Sequence, residues 1–161
     1  MQENSVYNAH SSQLTAAYCL LSTSSEIKDT LLQFINYLPG LEERVKDINA
    51  YSEKLSRNAR VLCQYVNDKC TGFCAYYAND MNTKTGYITQ IAIHEDFRRQ
   101  GLGRRLIREC IDDMKRSGMN RVRLEVRKDN DGAIAFYKSE GLAFESEASP
   151  ESFYMSGILN H

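Results

Sequence analysis

The seven residues Arg98-Arg99-Gln100-Gly101-Leu102-Gly103-Arg104 carry the plainest chemical signal in the chain. An apolar, strand-like segment, Tyr87 to Ile93, precedes them, and an amphipathic helix begins within them. A strand that ends in a basic, glycine-containing turn at a helix start is suited to phosphate. Glycine lets the backbone approach an anion, and consecutive N–H groups form a concave nest. The helix start adds about half a positive charge. Arg98, Arg99 and Arg104 add full charges with planar donor geometry. Glycine inside a helix costs about 1 kcal/mol against alanine, so two in one first turn suggest a use. The Gly-Lys-Ser/Thr ending of an ATP-binding loop is missing, which argues against that class of nucleotide site.

The rest of the chain bounds what such a turn can serve. The 161 residues predict one domain with one core. The formal net charge is −1, so no global field draws nucleic acid or an anionic membrane, and an anion site must be local. Apolar runs are far shorter than a membrane span. The start, Met1-Gln2-Glu3-Asn4, lacks the basic and apolar regions of a secretory signal, so a cytoplasmic location is expected. The five cysteines, Cys19, Cys63, Cys70, Cys74 and Cys110, include no C-x-x-C pair and fit reduced thiols. Cys63, Cys70 and Cys74 are near enough in sequence to raise a metal reading, but small apolar side chains in a strand pair explain them more simply.

The elements that must hold the turn follow from periodicity. Leu14 to Thr23 contains a first strand. Ser24 or Ser25 caps a helix that carries Ile27, Leu31, Leu32, Phe34 and Ile35 and ends at Pro39-Gly40. A second helix is predicted from Leu41 to about Arg57. The period then changes: Arg60 to Val66 and Gly72 to Ala78 alternate around the link Asn67-Asp68-Lys69, and with Tyr87 to Ile93 they form an antiparallel meander. A long helix with Leu102, Leu106, Ile107, Cys110, Ile111 and Met114 on one face stops at Ser117-Gly118. A strand from Val122 to Val126, a helix from Asn130 to Ser139, and strands Leu142 to Glu147 and Ser152 to Leu159 complete an α+β sheet with helices on its faces.

This order of elements, with these motifs, resembles the GNAT superfamily of acetyl-CoA-dependent N-acetyltransferases. The family signature Arg/Gln-x-x-Gly-x-Gly/Ala reads here Arg98-Arg99-Gln100-Gly101-Leu102-Gly103, led in by Ile91-Ala92-Ile93-His94-Glu95-Asp96-Phe97. Downstream, Leu124-Glu125-Val126, Asn130, Ala133, Phe136-Tyr137 and Gly141 follow the second family block. The two blocks cover about Tyr87 to Phe144, while the first 57 residues match weakly and are expected on the acceptor side. Gly141-Leu142 stands where Gly-Phe is usual.

The resemblance implies a single GNAT domain over 1–161, a mixed and mostly antiparallel sheet, and acetyl-CoA as co-substrate without a metal. It implies coenzyme contacts from Ile91, Ala92 and Ile93 through backbone groups, and from Arg98, Arg99, Gln100, Gly101, Leu102, Gly103, Arg104, Asn130 and Tyr137. Tyr137 is implied as general acid toward the leaving thiolate. For the base that deprotonates the acceptor amine, Glu125 and His94 are both candidates. Each also has a simpler reading: Glu125 as an ion pair with Arg123 or Arg127, His94 as a surface turn residue. Tyr76, Tyr77 and Gln90 are candidate acceptor contacts whose facing alternation does not decide. The acceptor, small molecule or protein amine, stays open, as does acyl length. So does homodimerisation through Ser152 to Leu159. The rival reading is a non-catalytic acyl-CoA-binding module on the same fold.

Overall fold

The computed structural model describes residues 14–160. The reading of Met1 to Asn4 lies outside them.

Seven strands form one sheet in the order β1-β2-β3-β4-β5-β7-β6, and every neighbouring pair is antiparallel except β4–β5, which is parallel. The strands are β1 (Ala17–Leu20), β2 (Arg60–Val66), β3 (Lys69–Tyr77), β4 (Thr85–Ile93), β5 (Arg121–Arg127), β6 (Ala143–Ser149) and β7 (Ser152–Ile158). The helices are α1 (Ser24–Gln33), α2 (Leu41–Arg44), α3 (Ile48–Asn58), α4 (Leu102–Arg116) and α5 (Asp131–Ser139). The predicted α+β class therefore holds, with the meander and the later strand–helix alternation in place.

Two apolar layers bury the two faces of the sheet. On one face Leu106, Ile107, Cys110 and Met114 of α4 pack with Ile88, Val122, Leu124 and Met155. On the other, Ile27, Leu31, Phe34, Leu41 and Leu55 from the N-terminal helices cover Val61, Cys63, Phe73 and Ala92. Burying each Leu, Ile, Val, Phe or Met side chain of these layers contributes about 1.5–3 kcal/mol. Cys63 and Cys74 belong to opposite layers, so the three neighbouring cysteines do not converge on one metal.

Several boundaries differ from the sequence reading for local reasons. The cap of α1 is Thr23, not a serine: its hydroxyl accepts from Glu26 N–H, and the Glu26 carboxylate accepts from Thr23 N–H, a reciprocal capping box. The expected helix over 41–57 is two helices. Val45 is extended, and the Asp47 carboxylate restarts the chain by accepting from Asn49 and Ala50 N–H. The β2–β3 turn is the two residues Asn67 and Asp68, with φ of 51° and 64°, which these residue types tolerate. Lys69 thus pairs with Val66, and β3 begins three residues earlier than expected. β7 lies between β5 and β6, so it has no free edge to offer a second copy in the way a terminal strand would.

Strand β4 positions the site. It pairs with β5 only from Thr85 to Ile88, opposite Arg121 to Leu124. Its register with β3 then skips: Tyr76 faces Ile88 and Ala75 faces Gln90, leaving Thr89 as an extra residue. A bulge of this kind bends and twists its strand. Beyond it β4 and β5 separate, and Ile91 and Ile93 join Ile88 on the α4 face while Ala92 packs on the other.

Candidate active site

The gap between the splayed strands is a cleft of about 670 Å³. β4 lines it from Tyr87 to Ile91, β5 from Leu124 to Arg127, and α5 through its cap Asn130 and through Ala133 and Tyr137. Its remaining wall comes from Tyr37 to Gly40, Glu43 and Arg44 on one side, and Ser149, Glu151 and Ser152 at the β6–β7 turn on the other.

Past the bulge, β4 has a free main-chain edge. His94 N–H donates to Thr71 of the β3 side at 2.8 Å, so by alternation Ala92 also faces β3, and Ile91 and Ile93 face the gap. Ala92 is therefore corrected: its amide belongs to the sheet and its side chain to the N-terminal layer, leaving Ile91 and Ile93 as the residues with outward groups. The Ile93 carbonyl accepts from Arg98 Nε at 3.3 Å, while among the described residues β5 pairs with β4 only as far as Ile88 and so leaves the Ile91 pair and the Ile93 N–H open.

The turn into α4 has the expected backbone form. Arg99 and Gly101 are left-handed, with φ of 63° and 76°. Arg105 N–H makes the first helical bond, to Gly101 at 3.1 Å, so the N–H groups of Leu102, Gly103 and Arg104 precede any intrahelical acceptor. A Cβ on Gly103 would lie 3.6 Å from Ile93 and 3.8 Å from Phe136, which places this helix start against the end of β4 and against α5. A chain of left-handed and helical residues with free amides is the geometry that holds a diphosphate, so the residues present fit coenzyme A.

The turn's charged side chains do other work. Arg98 lies over the Tyr37 ring, 5.3 Å from its centroid, besides holding the Ile93 carbonyl. Arg104 sits 3.2 Å and Arg108 3.0 Å from the buried Glu140 carboxylate. Gln100 donates to the Asp96 carbonyl at 3.3 Å. These contacts shape the turn, while the amides face outward.

Tyr137 lies in the cleft, 8% exposed, and its hydroxyl has no hydrogen-bond partner among the described residues. Burial, and then the nearby Cys74, raise its pKa well above the ordinary tyrosine value, which keeps the phenol protonated. Asn130 lines the cleft and caps α5, its Oδ1 accepting from Ala133 N–H at 3.1 Å.

The two base candidates separate. His94 Nδ1 accepts from Asp96 N–H at 3.1 Å, and its ring packs edge-on against Tyr37, 5.3 Å between centroids. It caps a short turn and does not line the cleft, which is the simpler reading. Glu125 does line the cleft. Its expected ion pairs are absent among the described residues: Arg123 binds Glu145 at 2.8 Å, and Arg127 binds Asp129 at 3.1 Å. Its carboxylate instead accepts from Ser152 Oγ at 2.6 Å. Tyr87 beside it has its pKa pushed up to about 12, by burial first and by the Glu125 charge second.

Of the candidate acceptor contacts, only Gln90 lines the cleft, donating to the Tyr51 hydroxyl at 3.1 Å. Tyr76 is buried and donates to Asp113 at 2.7 Å, and Tyr77 packs in the N-terminal layer. Of the charged residues of the second predicted helix that could meet an acceptor, Arg44 lines the cleft; sequence reasoning missed Tyr37, Glu43 and the Ser149–Ser152 turn. No local motif marks them, because they reach the cleft only through the tertiary path.

Residues 28–142 match the family model described as the acetyltransferase (GNAT) family. The chain belongs to the GNAT family. Over 51 residues this GNAT chain is 47% identical to a [ribosomal protein bS18]-alanine N-acetyltransferase of Escherichia coli (strain K12), a match covering 32% of this chain and 34% of that one. Over 93 residues it is 32% identical to an N-alpha-acetyltransferase 30 of Schizosaccharomyces pombe, covering 56% of this chain and 61% of the relative. The GNAT chain thus spans between about a third and three-fifths of these relatives. The crystal structure of the ribosomal-protein-S18-alanine N-acetyltransferase from Escherichia coli superposes with a TM-score of 0.71 at 19% identity, over 90% of this chain and 96% of that one. A PaiA N-acetyltransferase from Thermoplasma acidophilum in complex with coenzyme A gives 0.67 at 17% identity, over 88% and 99%. At these identities the two structures establish the shared fold. No helix among the described residues is long and apolar enough to cross a membrane.

Proposed function

We propose that this chain transfers an acetyl group from acetyl-CoA to a primary amine by direct attack. The observation that carries the reading is the pairing of Glu125, free of any cation partner among the described residues, with the protonated Tyr137 in one cleft. The free amides of Leu102, Gly103 and Arg104 and the open edge at Ile91 and Ile93 would hold the coenzyme, its pantetheine arm pairing with β4 as an added strand. An outward N–H of β4 would also polarise the thioester carbonyl.

Glu125 accepts the proton that the acceptor ammonium must lose before nitrogen can attack. The C–N bond then forms, the attacking nitrogen sheds its second proton to solvent, and the C–S bond breaks as the Tyr137 phenol, afterwards reprotonated from solvent, supplies a proton to the departing thiolate. General acids of this kind contribute typically about 10²–10⁴-fold. A covalent enzyme intermediate is not needed, because no cysteine lines the cleft.

The relatives named for transfer to a ribosomal protein's alanine and to an α-amine direct the acceptor search. A panel of peptides with free α-amines, together with aminosugars, polyamines and amino acids, is incubated with acetyl-CoA, and thiol release is followed. Turnover of at least one amine, lowered about 10²-fold to a measurable residual rate in Glu125→Gln, is expected. Coenzyme binding without turnover across the panel would overturn catalysis and leave an acyl-CoA-binding module.

A further inference from the structure

The base reading leaves unexplained how an exposed carboxylate is held in one orientation at the cleft. Three side chains answer this. Ser152, 5% exposed, donates from Oγ to Glu125 Oε2 at 2.6 Å. Ser149 Oγ lies 2.9 Å from Ser152 Oγ, and it is itself fixed by Glu151 N–H, which donates to it at 3.2 Å. With the Ser152 proton spent on Glu125, the single Ser149 proton makes the 2.9 Å bond to Ser152 Oγ, and Glu151 Oε2 at 3.4 Å is its longer, competing acceptor. The chain of contacts runs from the tight β6–β7 turn to the carboxylate on β5.

The register makes this contact a consequence of the sheet. Glu125 stands opposite Tyr154, and Arg127 opposite Ser152, so Ser152 is the diagonal neighbour of Glu125 on the same face. Ser149 pairs with Ser152 across the turn. The turn is further tied to β5 by Lys128 N–H, which donates to the Glu151 carbonyl at 2.9 Å. Of the two acceptors within reach of the buried Ser152 hydroxyl, the charged Glu125 carboxylate at 2.6 Å is nearer and stronger than the Ser149 hydroxyl at 2.9 Å. It engages Oε2, and the other carboxylate oxygen has no hydrogen-bond partner among the described residues.

We infer that Ser152, braced by Ser149, is a positioning residue for Glu125 in the transfer reaction. The inference rests on the reading of Glu125 as the base. Ser152 neither touches the thioester nor gains or loses a proton overall. It fixes where the accepting carboxylate oxygen lies when the ammonium arrives, and misplacement of such a group by about 1 Å can cost on the order of 10²-fold.

The test is a double-mutant cycle on turnover with the best amine of the panel, with coenzyme A affinity measured by calorimetry on every variant. Ser152→Ala is expected to lower kcat about tenfold with coenzyme affinity unchanged, and Ser152→Thr, which keeps the hydroxyl, to restore most of it. In a Glu125→Gln background, Ser152→Ala is expected to cost less than twofold, because a residue acting through Glu125 has nothing further to lose. Ser149→Ala is expected to lower kcat about threefold. A wild-type kcat in Ser152→Ala, or equal losses with and without Glu125, would overturn the positioning role and leave Glu125 as base. Full turnover in Glu125→Gln would overturn the base and this inference together. A folding defect is separated by thermal unfolding, since a merely structural loss would fall equally on both backgrounds and on coenzyme affinity.

Discussion

The α4 turn offers a ligand the main-chain N–H groups of three successive residues, Leu102 to Arg104, while the facing wall of the cleft offers side chains from Tyr37, Glu43, Arg44, Gln90, Glu125 and the Ser149–Ser152 turn. The first wall is made by one continuous segment, the second by parts of the chain more than a hundred residues apart. A site made of backbone requires glycine and a left-handed residue at fixed spacing, so it leaves a pattern in the sequence. A site made of side chains requires only that the fold deliver them, and it can change without disturbing the core. The donor side should therefore be common to relatives of this fold and the acceptor side particular to this chain.

That contrast is open to attack by substitution, because changes on one wall should be silent in the property governed by the other. The largest effect is expected from Gly103→Glu. The glycine's missing Cβ would meet only ordinary contacts at 3.6 Å and beyond, so Gly103→Ala should fold and bind, whereas a carboxylate beside the outward amides should weaken coenzyme A binding by 10²-fold or more, read by calorimetry. Next, Tyr137→Phe should lower kcat about 10²-fold and leave coenzyme affinity within twofold. Because the phenol's pKa is raised, the wild-type kcat should show no loss from its ionisation as pH rises to about 10; a descending limb near 8 in wild type that vanishes in the phenylalanine variant would contradict the raised value. A smaller effect is expected from the pair Glu43→Gln and Glu151→Gln, which should raise KM for a cationic amine about fivefold, less so at high salt, with coenzyme affinity unchanged.

The smallest effect probes a residue that joins the walls. Tyr37 lines the cleft, yet its ring lies under Arg98 and against His94 of the donor turn. Tyr37→Leu should weaken coenzyme binding by about two- to fivefold, the size of a half-exposed cation–π contact. No change would make the two walls fully independent.

Much of the fold was legible because local rules were obeyed. Alternation marked β2 to β4, a heptad-like stripe marked α4, and Gly118 and Gly141, at φ of 90° and 91°, stopped α4 and α5 where expected. The misreadings share a cause, in that a single polar side chain or extra residue overrides the apolar pattern. Asp47 restarts a helix inside what hydrophobicity reads as one, and Thr23 captures a cap that two neighbouring serines could equally fill. Thr89 had no signal in composition, yet as a bulge it opens the cleft and decides that Ile91 and Ile93, not Ala92, present free backbone. Within the site, Gly101, Gly103 and Tyr137 could be picked out from spacing and resemblance. Ser152 could not, because its importance depends on a diagonal register with Glu125 that only the folded sheet creates. The arginines were half legible: their charges suggested phosphate, but the fold commits Arg98 to Tyr37 and Ile93 and Arg104 to Glu140.

A crystal structure with acetyl-CoA bound tests the central claim most directly. The account predicts diphosphate oxygens within about 3.2 Å of the N–H groups of Leu102, Gly103 and Arg104, the pantetheine arm along the free edge at Ile91 and Ile93, and the thioester sulfur within reach of the Tyr137 hydroxyl. Coenzyme lodged away from the α4 turn, or with its sulfur remote from Tyr137, would contradict it.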